Sequence, residues 1–176
     1  TIGASNVFTA IFTPTTPLET VVFKEWEQVY GGSGTLEEQL RLAQQTSDGG
    51  YILVGHSGSG VSGNKTTPGF GDVDYWVITT DANGVKQWER TFGGDALDRP
   101  SSVIQTTDGG YLVGGSSQSG ATGNKTSAGF SPALNSGDYW VLKLDANGNK
   151  VWEQAYGGIN SEELHSLQQT LDGGYI

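Results

Sequence analysis

The sequence predicts an all-β fold of β-propeller-type blades, each a sheet of four antiparallel strands. The first observation is a repeat: Trp26, Trp88 and Trp152 each begin the pattern Trp-Glu-x-x-aromatic-Gly-Gly, and they lie 62 and 64 residues apart. The second is a high glycine content, 28 residues in 176, which suits strands joined by tight turns. The third is the presence of four strand-like segments in each period, which is the content of a propeller blade.

Two of the four segments are predicted to be inner strands of a sheet. Residues 50–55 and 110–115 are short apolar runs that follow an Asp-Gly-Gly turn, a pattern typical of a buried strand. Residues 74–79 and 138–143 are rich in aromatic and β-branched side chains, which strands prefer. An Asn-Gly pair follows them as a strong hairpin signal, so the next segment is expected to pair with this one.

The other two segments complete the predicted sheet. Residues 85–92 and 150–156 place Trp four residues before Phe or Tyr, so both aromatic side chains lie on one face of a strand. The fourth segment also fits a short helix at residues 37–45, but Val103 and Ile104 favour a strand. We predict a strand in all three copies, at residues 40–46, 101–106 and 164–170.

The repeat defines the domain organisation. Residues 1–22 lie outside it and are predicted to be either a linker or a terminal strand of a preceding domain. Residues 23–176 hold the repeats, with units beginning near 23, 85 and 149 and the last one incomplete. Since propellers have about four to eight blades, we expect these two and a half repeats to form part of a larger propeller. Further blades would come from the same or another chain.

Composition excludes several classes of function. The net charge of −10 would repel phosphate backbones, so no nucleic-acid partner is expected. The absence of cysteine removes disulfides, thiolate metal sites and thiol catalysis. No run of about 18 apolar residues is present, so no membrane span is predicted. Thr1 is not a translation start, so we expect a processed N-terminus or a longer parent protein.

These motifs resemble known repeats. The Gly-Gly pair after a strand, the Tyr-Trp pair and the Trp after the Asn-Gly turn resemble a Kelch-type blade. A closer resemblance is to long-period propeller-like repeats of secreted and surface proteins of Bacteroidota. Their Gln-Gln-Thr-x-Asp-Gly-Gly-Tyr, Gly-Asn-Lys-Thr and Asp-Tyr-Trp-Val motifs recur across residues 23–176. The resemblance implies secretion or cell-surface display, often through a type IX secretion sorting domain, and implies no catalytic residues.

The loop between the first two segments is the candidate ligand-binding element. It is longer than most connections, and long loops on a rigid scaffold often carry a binding surface. A phosphate-binding P-loop is excluded because Asn, rather than Gly, precedes the Lys and no helix-like segment follows. The alternative is that these residues attach the loop to its own blade. The candidate residues are Asn64, Lys65 and Thr66 in one copy and Asn124, Lys125 and Thr126 in the next.

Calcium is a possible ligand of the same loops, and no other cofactor is expected. Oxygen-bearing side chains of the kind that calcium prefers occur at Asp72, Asp74, Asn135 and Asp138. The Asp81-Ala82-Asn83-Gly84 turn does not fit an EF-hand, because the twelfth position of such a loop would be Phe92 rather than Glu. That turn is predicted to be a hairpin turn only.

No catalytic arrangement is specified by the sequence. His56 and His165 occupy non-equivalent positions of the repeat, and many serines could complete a triad, so a Ser-His-Asp assignment has no specificity. The tryptophans are periodic, which favours core packing over sugar stacking. We predict a non-enzymatic secreted or cell-surface module that binds protein or glycan, such as an adhesin, a surface scaffold or a component of gliding or secretion machinery. The alternative is a carbohydrate-active enzyme or its accessory domain, which should show a deep central pocket with unpaired carboxylates.

Overall fold

The computed structural model describes residues 26–33, 37–130 and 136–176. The described residues form β-strands and no helix, which confirms the all-β prediction. No helix long and apolar enough to cross a membrane occurs among them. The predicted linker at residues 1–22 lies outside the described residues. The strands are β1 (Glu38–Gln45), β2 (Tyr51–Ser57), β3 (Asp74–Thr80), β4 (Lys86–Phe92), β5 (Asp98–Gln105), β6 (Tyr111–Ser117), β7 (Asp138–Leu144) and β8 (Lys150–Tyr156).

The strands form two four-stranded sheets, ordered β1-β2-β3-β4 and β5-β6-β7-β8. All neighbouring strands are antiparallel, and the two sheets share one register. Glu38 pairs with Ser57 in the first sheet as Asp98 pairs with Ser117 in the second. Each first strand also has a register shift shortly after that pair. This arrangement is consistent with propeller-type blades, in which each sheet begins with the segment that the sequence pattern places fourth.

The alternative of a helix at residues 37–45 is wrong, because this segment is β1. One predicted strand does not form among the described residues: residues 164–170 contain no strand. The equivalent strands β1 and β5 are paired along their length with β2 and β6. Here only Gln169 and Tyr175 form an isolated bridge, and Gln168 and Ile176 exchange two backbone hydrogen bonds. The pairing therefore begins in the expected antiparallel sense.

The predicted Asn-Gly hairpin turns are confirmed. Asp81 Oδ1 accepts hydrogen bonds from the backbone N–H groups of Asn83 and Val85, both at 2.9 Å. Gly84 has a φ of +76°, a left-handed conformation that glycine adopts without a Cβ penalty. Asp145 accepts the same two bonds in the second sheet. The aspartate that opens each turn is therefore satisfied by its own backbone, as expected of an Asx-type turn.

The main core lies between the two sheets. Successive strand residues point to opposite faces, so β2 and β3 bury one face against the second sheet and the other against the segment around Tyr30. This explains why both strands have continuous apolar runs instead of an alternation. Burial of each large side chain contributes about 1.5–3 kcal/mol. The core between the sheets contains Ile52, Val54, Tyr75, Val77, Phe92, Tyr111, Val113, Trp140, Leu142 and Leu144, and the opposite cluster contains Tyr30, Tyr51, Leu53, Trp76 and Ile78.

Candidate functional site

The repeated tryptophan of the fourth strand packs on the next sheet. The Trp88 and Tyr111 ring centres lie 5.8 Å apart at an angle of 66°, and Trp88 Nε1 donates a hydrogen bond to the Ala146 carbonyl at 3.1 Å. A Cβ on Gly148 would lie 2.7 Å from the indole, so glycine is needed there for close approach. Trp26 makes the same contact with Tyr51 at 5.6 Å. The periodic aromatic residues therefore join neighbouring sheets.

The asparagine of the long loop also joins neighbouring sheets. Asn124 Oδ1 accepts a hydrogen bond from Gly93 N–H at 2.9 Å, and its Nδ2 donates to the Thr91 carbonyl at 2.8 Å. Both partners follow or end β4, in the preceding sheet. In the copy before it, Asn64 Oδ1 accepts a hydrogen bond from Gly31 N–H at 2.8 Å. Each asparagine thus holds its loop against the preceding unit.

The lysine of the loop is buried against its own sheet. The side chain of Lys125 donates to the carbonyls of Ser119 and Ser127 at 3.0 and 2.6 Å. Its Nζ lies 5.8 Å from the centre of the Trp140 ring, a cation–π contact. Lys65 is equally enclosed, with 1% of its surface exposed. Burial lowers the pKa of both lysines, while nearby carboxylates oppose that shift.

The threonine of the loop binds a buried glutamate of the fourth strand. Thr66 N–H donates to Glu89 Oε1 at 2.6 Å, its hydroxyl donates to the same oxygen, and Trp76 Nε1 donates to Glu89 Oε2 at 2.8 Å. Thr126 N–H donates likewise to Glu153 Oε1 at 2.6 Å. Contacts of all six candidate loop residues thus lie within the protein. Ligand binding by these residues stays a prediction. The geometry favours the alternative, that they attach the loop to its own blade, and Asn64 and Asn124 also attach it to the preceding unit.

The calcium candidates are dispersed. Asp74 and Asp138 are buried, and one oxygen of each accepts a backbone hydrogen bond at 2.7 Å, from Phe70 and Phe130 respectively. Asp72 is exposed. In the part of the chain that the structure describes, no group of three or more His, Asp or Glu side chains could hold a metal ion. Asn135 lies outside the described residues, so calcium binding stays a prediction.

The Gly-Gly pair has a structural role that the sequence did not reveal. Gly94 N–H donates to Asp98 Oδ2 at 2.8 Å. A Cβ on Gly93 would lie 1.8 Å from Asp74 Oδ1 and 2.8 Å from Asp98 Oδ2, so two buried carboxylates of different sheets approach this glycine. Burial, with a smaller contribution from Asp74, raises the pKa of Asp98 to about 6 despite its hydrogen bonds. Glu162 accepts the equivalent bond from Gly158 at 3.2 Å.

A cleft of about 300 Å³ lies where β1, β5 and residues 163–165 converge. Its polar lining comes from positions at which the three units differ. One such position carries Gln39, Arg99 and Glu163 in the successive units, and the position two residues later carries Arg, Ser and His. The lining residues are Arg41, Arg99, Pro100, Ser101, Ser116, Glu163, Leu164 and His165.

A charged network borders this cleft. Arg99 Nη2 lies 3.1 Å from Glu37 Oε2, and His56 Nε2 lies 3.1 Å from Glu37 Oε1. The contacts of Glu37 with His56 and then Arg99 lower its pKa. Burial lowers the pKa of His56, although Glu37 opposes the shift. Arg41, also on the cleft, is exposed, which leaves its guanidinium open to an external group.

The chain matches no protein-family model and no curated protein. The cleft must therefore be interpreted from its own chemistry. The sequence showed the two histidines only as non-equivalent residues of the repeat and did not indicate that His165 lines a cleft. The signal in the sequence that points to the cleft is the set of polar positions that differ between the units, because the polar residues that the units share join loops and sheets.

Proposed function

We propose that the chain is a non-enzymatic binding module of a secreted or cell-surface protein, with the cleft as its surface for protein or glycan. One observation carries this proposal. The polar side chains common to the units, such as Asn124 and Lys125, bind the protein itself, whereas the cleft positions differ from unit to unit. A scaffold in which the contacts between units are constant and the polar lining of the cleft varies is suited to ligand recognition.

We also propose that the sheets are blades of a larger propeller, completed by blades from the same or another chain. The support is the regular sequence of contacts from each sheet to the next. Trp88 packs on the sheet after its own, and Trp152 occupies the equivalent position in β8. Trp152 is 38% exposed and Tyr156 57% exposed. A further blade would cover these two side chains.

The carboxylates of the cleft support binding over hydrolysis. Most glycosidases use two carboxylates, one of them a general acid. Glu163 is the carboxylate among the described lining residues. Glu37 nearby faces Arg99 and His56, which lower its pKa, the opposite of what a general acid needs. A carbohydrate-active enzyme remains the alternative, and it would depend on Glu163.

Binding and turnover measured together test the proposed function. The full chain is exposed to arrayed polysaccharides and cell-surface proteins, and the release of reducing ends is followed in parallel. We expect binding that the double substitution Arg41→Ala with His165→Ala weakens, and no turnover. Gln87→Ala, an exposed position on β4, is the matched control. Turnover that Glu163→Gln abolishes would establish the enzyme instead.

A further inference from the structure

Arg41 differs from the other basic side chains that the structure describes. Lys65 and Lys125 are buried within their loops, and Arg90 donates to backbone carbonyls. Lys86, Arg99, Lys143 and Lys150 each form an ion pair. Arg41 is exposed and has neither an ion pair nor a hydrogen bond within the described chain. A guanidinium that is exposed and has no partner among the described residues, in a chain of net charge −10, is available to bind an anionic group.

The second arginine of the cleft, Arg99, lines the same cavity as Arg41. Burial lowers the pKa of His56, and the positive charges of Arg41 and Arg99 lower it further. Glu37 faces Arg99 with one carboxylate and Glu163 also lines the cleft, so the positive charge without a partner among the described residues lies at Arg41. A planar guanidinium presents paired N–H donors that match the two oxygens of a carboxylate.

The rest of the lining supplies groups for neutral hydroxyls. Glu163 and His165 are exposed in the cleft, and Ser116 adds a hydroxyl. No Phe, Tyr or Trp is among the described lining residues, so a neutral sugar has no large aromatic ring on which to stack there. The volume of about 300 Å³ lies at the lower end of the range for small-molecule sites, which suits one or two sugar units.

We propose that the cleft binds a uronic-acid residue of an acidic polysaccharide, with the sugar carboxylate at Arg41 and Arg99 and its hydroxyls at Glu163, His165 and Ser116. This inference rests on the proposed function and specifies its ligand. A sugar acid fits better than an acidic peptide, because its ring carries hydroxyls beside the carboxylate. Glu163, His165 and Ser116 can bind those hydroxyls, whereas a glutamate side chain offers none.

Calorimetric titration of the full chain tests the inference with four probes: trigalacturonate, its methyl ester, maltotriose and a triglutamate peptide. We expect trigalacturonate to bind and the two uncharged sugars to bind at least about tenfold more weakly, the loss expected for a charge-assisted bond. Binding should weaken as ionic strength rises. Arg41→Gln should reduce the affinity about tenfold, Arg41→Lys by less, and Gln87→Ala not at all.

Three results with the probes would overturn the inference: no binding of trigalacturonate, equal binding of its methyl ester, or stronger binding of the triglutamate peptide. An Arg41→Gln variant that binds as tightly as the original chain would also overturn it. Circular dichroism of each variant confirms that its fold is retained. If a neutral glycan or a protein instead binds and loses affinity in the double variant at Arg41 and His165, the proposed function holds and only its ligand is wrong.

Discussion

The indole of Trp88 covers Gly148, a residue with a φ of +76° in the hairpin turn of the next sheet. Its Nε1–H also binds the Ala146 carbonyl of the same turn. The Trp88 side chain therefore makes both an apolar contact and a hydrogen bond with the hairpin turn of the next sheet. This contact recurs between Trp26 and Gly84, so it is part of the way in which successive sheets are held together.

Replacement of Trp88 should destabilise the protein. We expect Trp88→Ala to lower the free energy of unfolding by about 3 kcal/mol, the low end for a large aromatic truncation, because Trp88 is only partly buried. Trp152→Ala is the matched control, since Trp152 is 38% exposed and its ring contacts Tyr175. Urea denaturation measures both. Equal losses in the two variants would contradict a role in joining sheets.

Alanine substitutions at two glycines distinguish the cost of backbone strain from the cost of a steric clash. Gly109 and Gly148 have φ values of +79° and +76°, so alanine at either costs about 1–2 kcal/mol from the left-handed backbone alone. A Cβ at Gly109 would meet nothing within 4 Å, whereas one at Gly148 would meet the Trp88 ring at 2.7 Å. Thermal unfolding should show Gly148→Ala to be clearly the less stable variant. Equal midpoints would mean that the ring shifts without cost.

Asn124 should contribute to stability rather than to binding. Asn124→Ala leaves Gly93 N–H, a buried donor, without its side-chain partner, so we expect a loss of about 1–3 kcal/mol in unfolding free energy. Asn83→Ala, in an exposed turn, serves as the control and should change little. Chemical denaturation gives both values. If instead Asn124→Ala leaves stability unchanged while it removes glycan binding, the loop is the binding site after all.

Asp98 should make the protein more stable as the solution becomes mildly acidic. Its folded-state pKa of about 6 lies above the ordinary aspartate value of 3.8, so between these values the folded state holds a proton that the unfolded chain has lost. Stability from this group therefore rises as pH falls through 6, by up to about 3 kcal/mol. Below about pH 4 no further gain follows from Asp98.

Glu153 opposes the gain from Asp98 at low pH, because it loses its stabilising contribution there. Burial disfavours its charge, but bonds from Lys150 and from the backbone of Ser127 and Thr126 outweigh burial and lower its pKa from 4.5 to about 2. Its contribution is present above pH 4.5 and is lost as pH falls toward 2. Urea unfolding across pH should peak near pH 5. Asp98→Asn should flatten the rise between pH 7 and 5, whereas Asp95→Asn, an exposed neighbour, should retain it.

The strands were predictable because local pattern determines them. Asn-Gly turns and apolar runs specify hairpins whose partners lie close in sequence, and β2, β3 and β4 follow directly. The partial pairing at Gln169 was not predictable, since it depends on how much of the next strand pairs with it. The helix alternative at residues 37–45 could be rejected only by comparison with Val103 and Ile104 of another unit.

The joins between sheets could be predicted only in part. The periodicity of Asn64 and Asn124 indicated importance, but a pattern of residues does not show whether a side chain faces a ligand or a neighbouring loop. The acid that accepts a bond from the second glycine could not be predicted from spacing, because Glu38 lies six residues after its glycine and Asp98 only four after its own. The cleft could not be predicted, because its lining comes from three units and shares no motif.

Among the described residues, the side chain of Asn124 bonds to the unit immediately before its own, and Trp88 bonds to the unit immediately after. Because these bonds join adjacent units, duplication of one whole unit would place matching partners on both sides of the inserted unit. Such a protein can therefore gain or lose whole units without changes to the residues that join them. The cleft positions, which differ between units, can diverge independently.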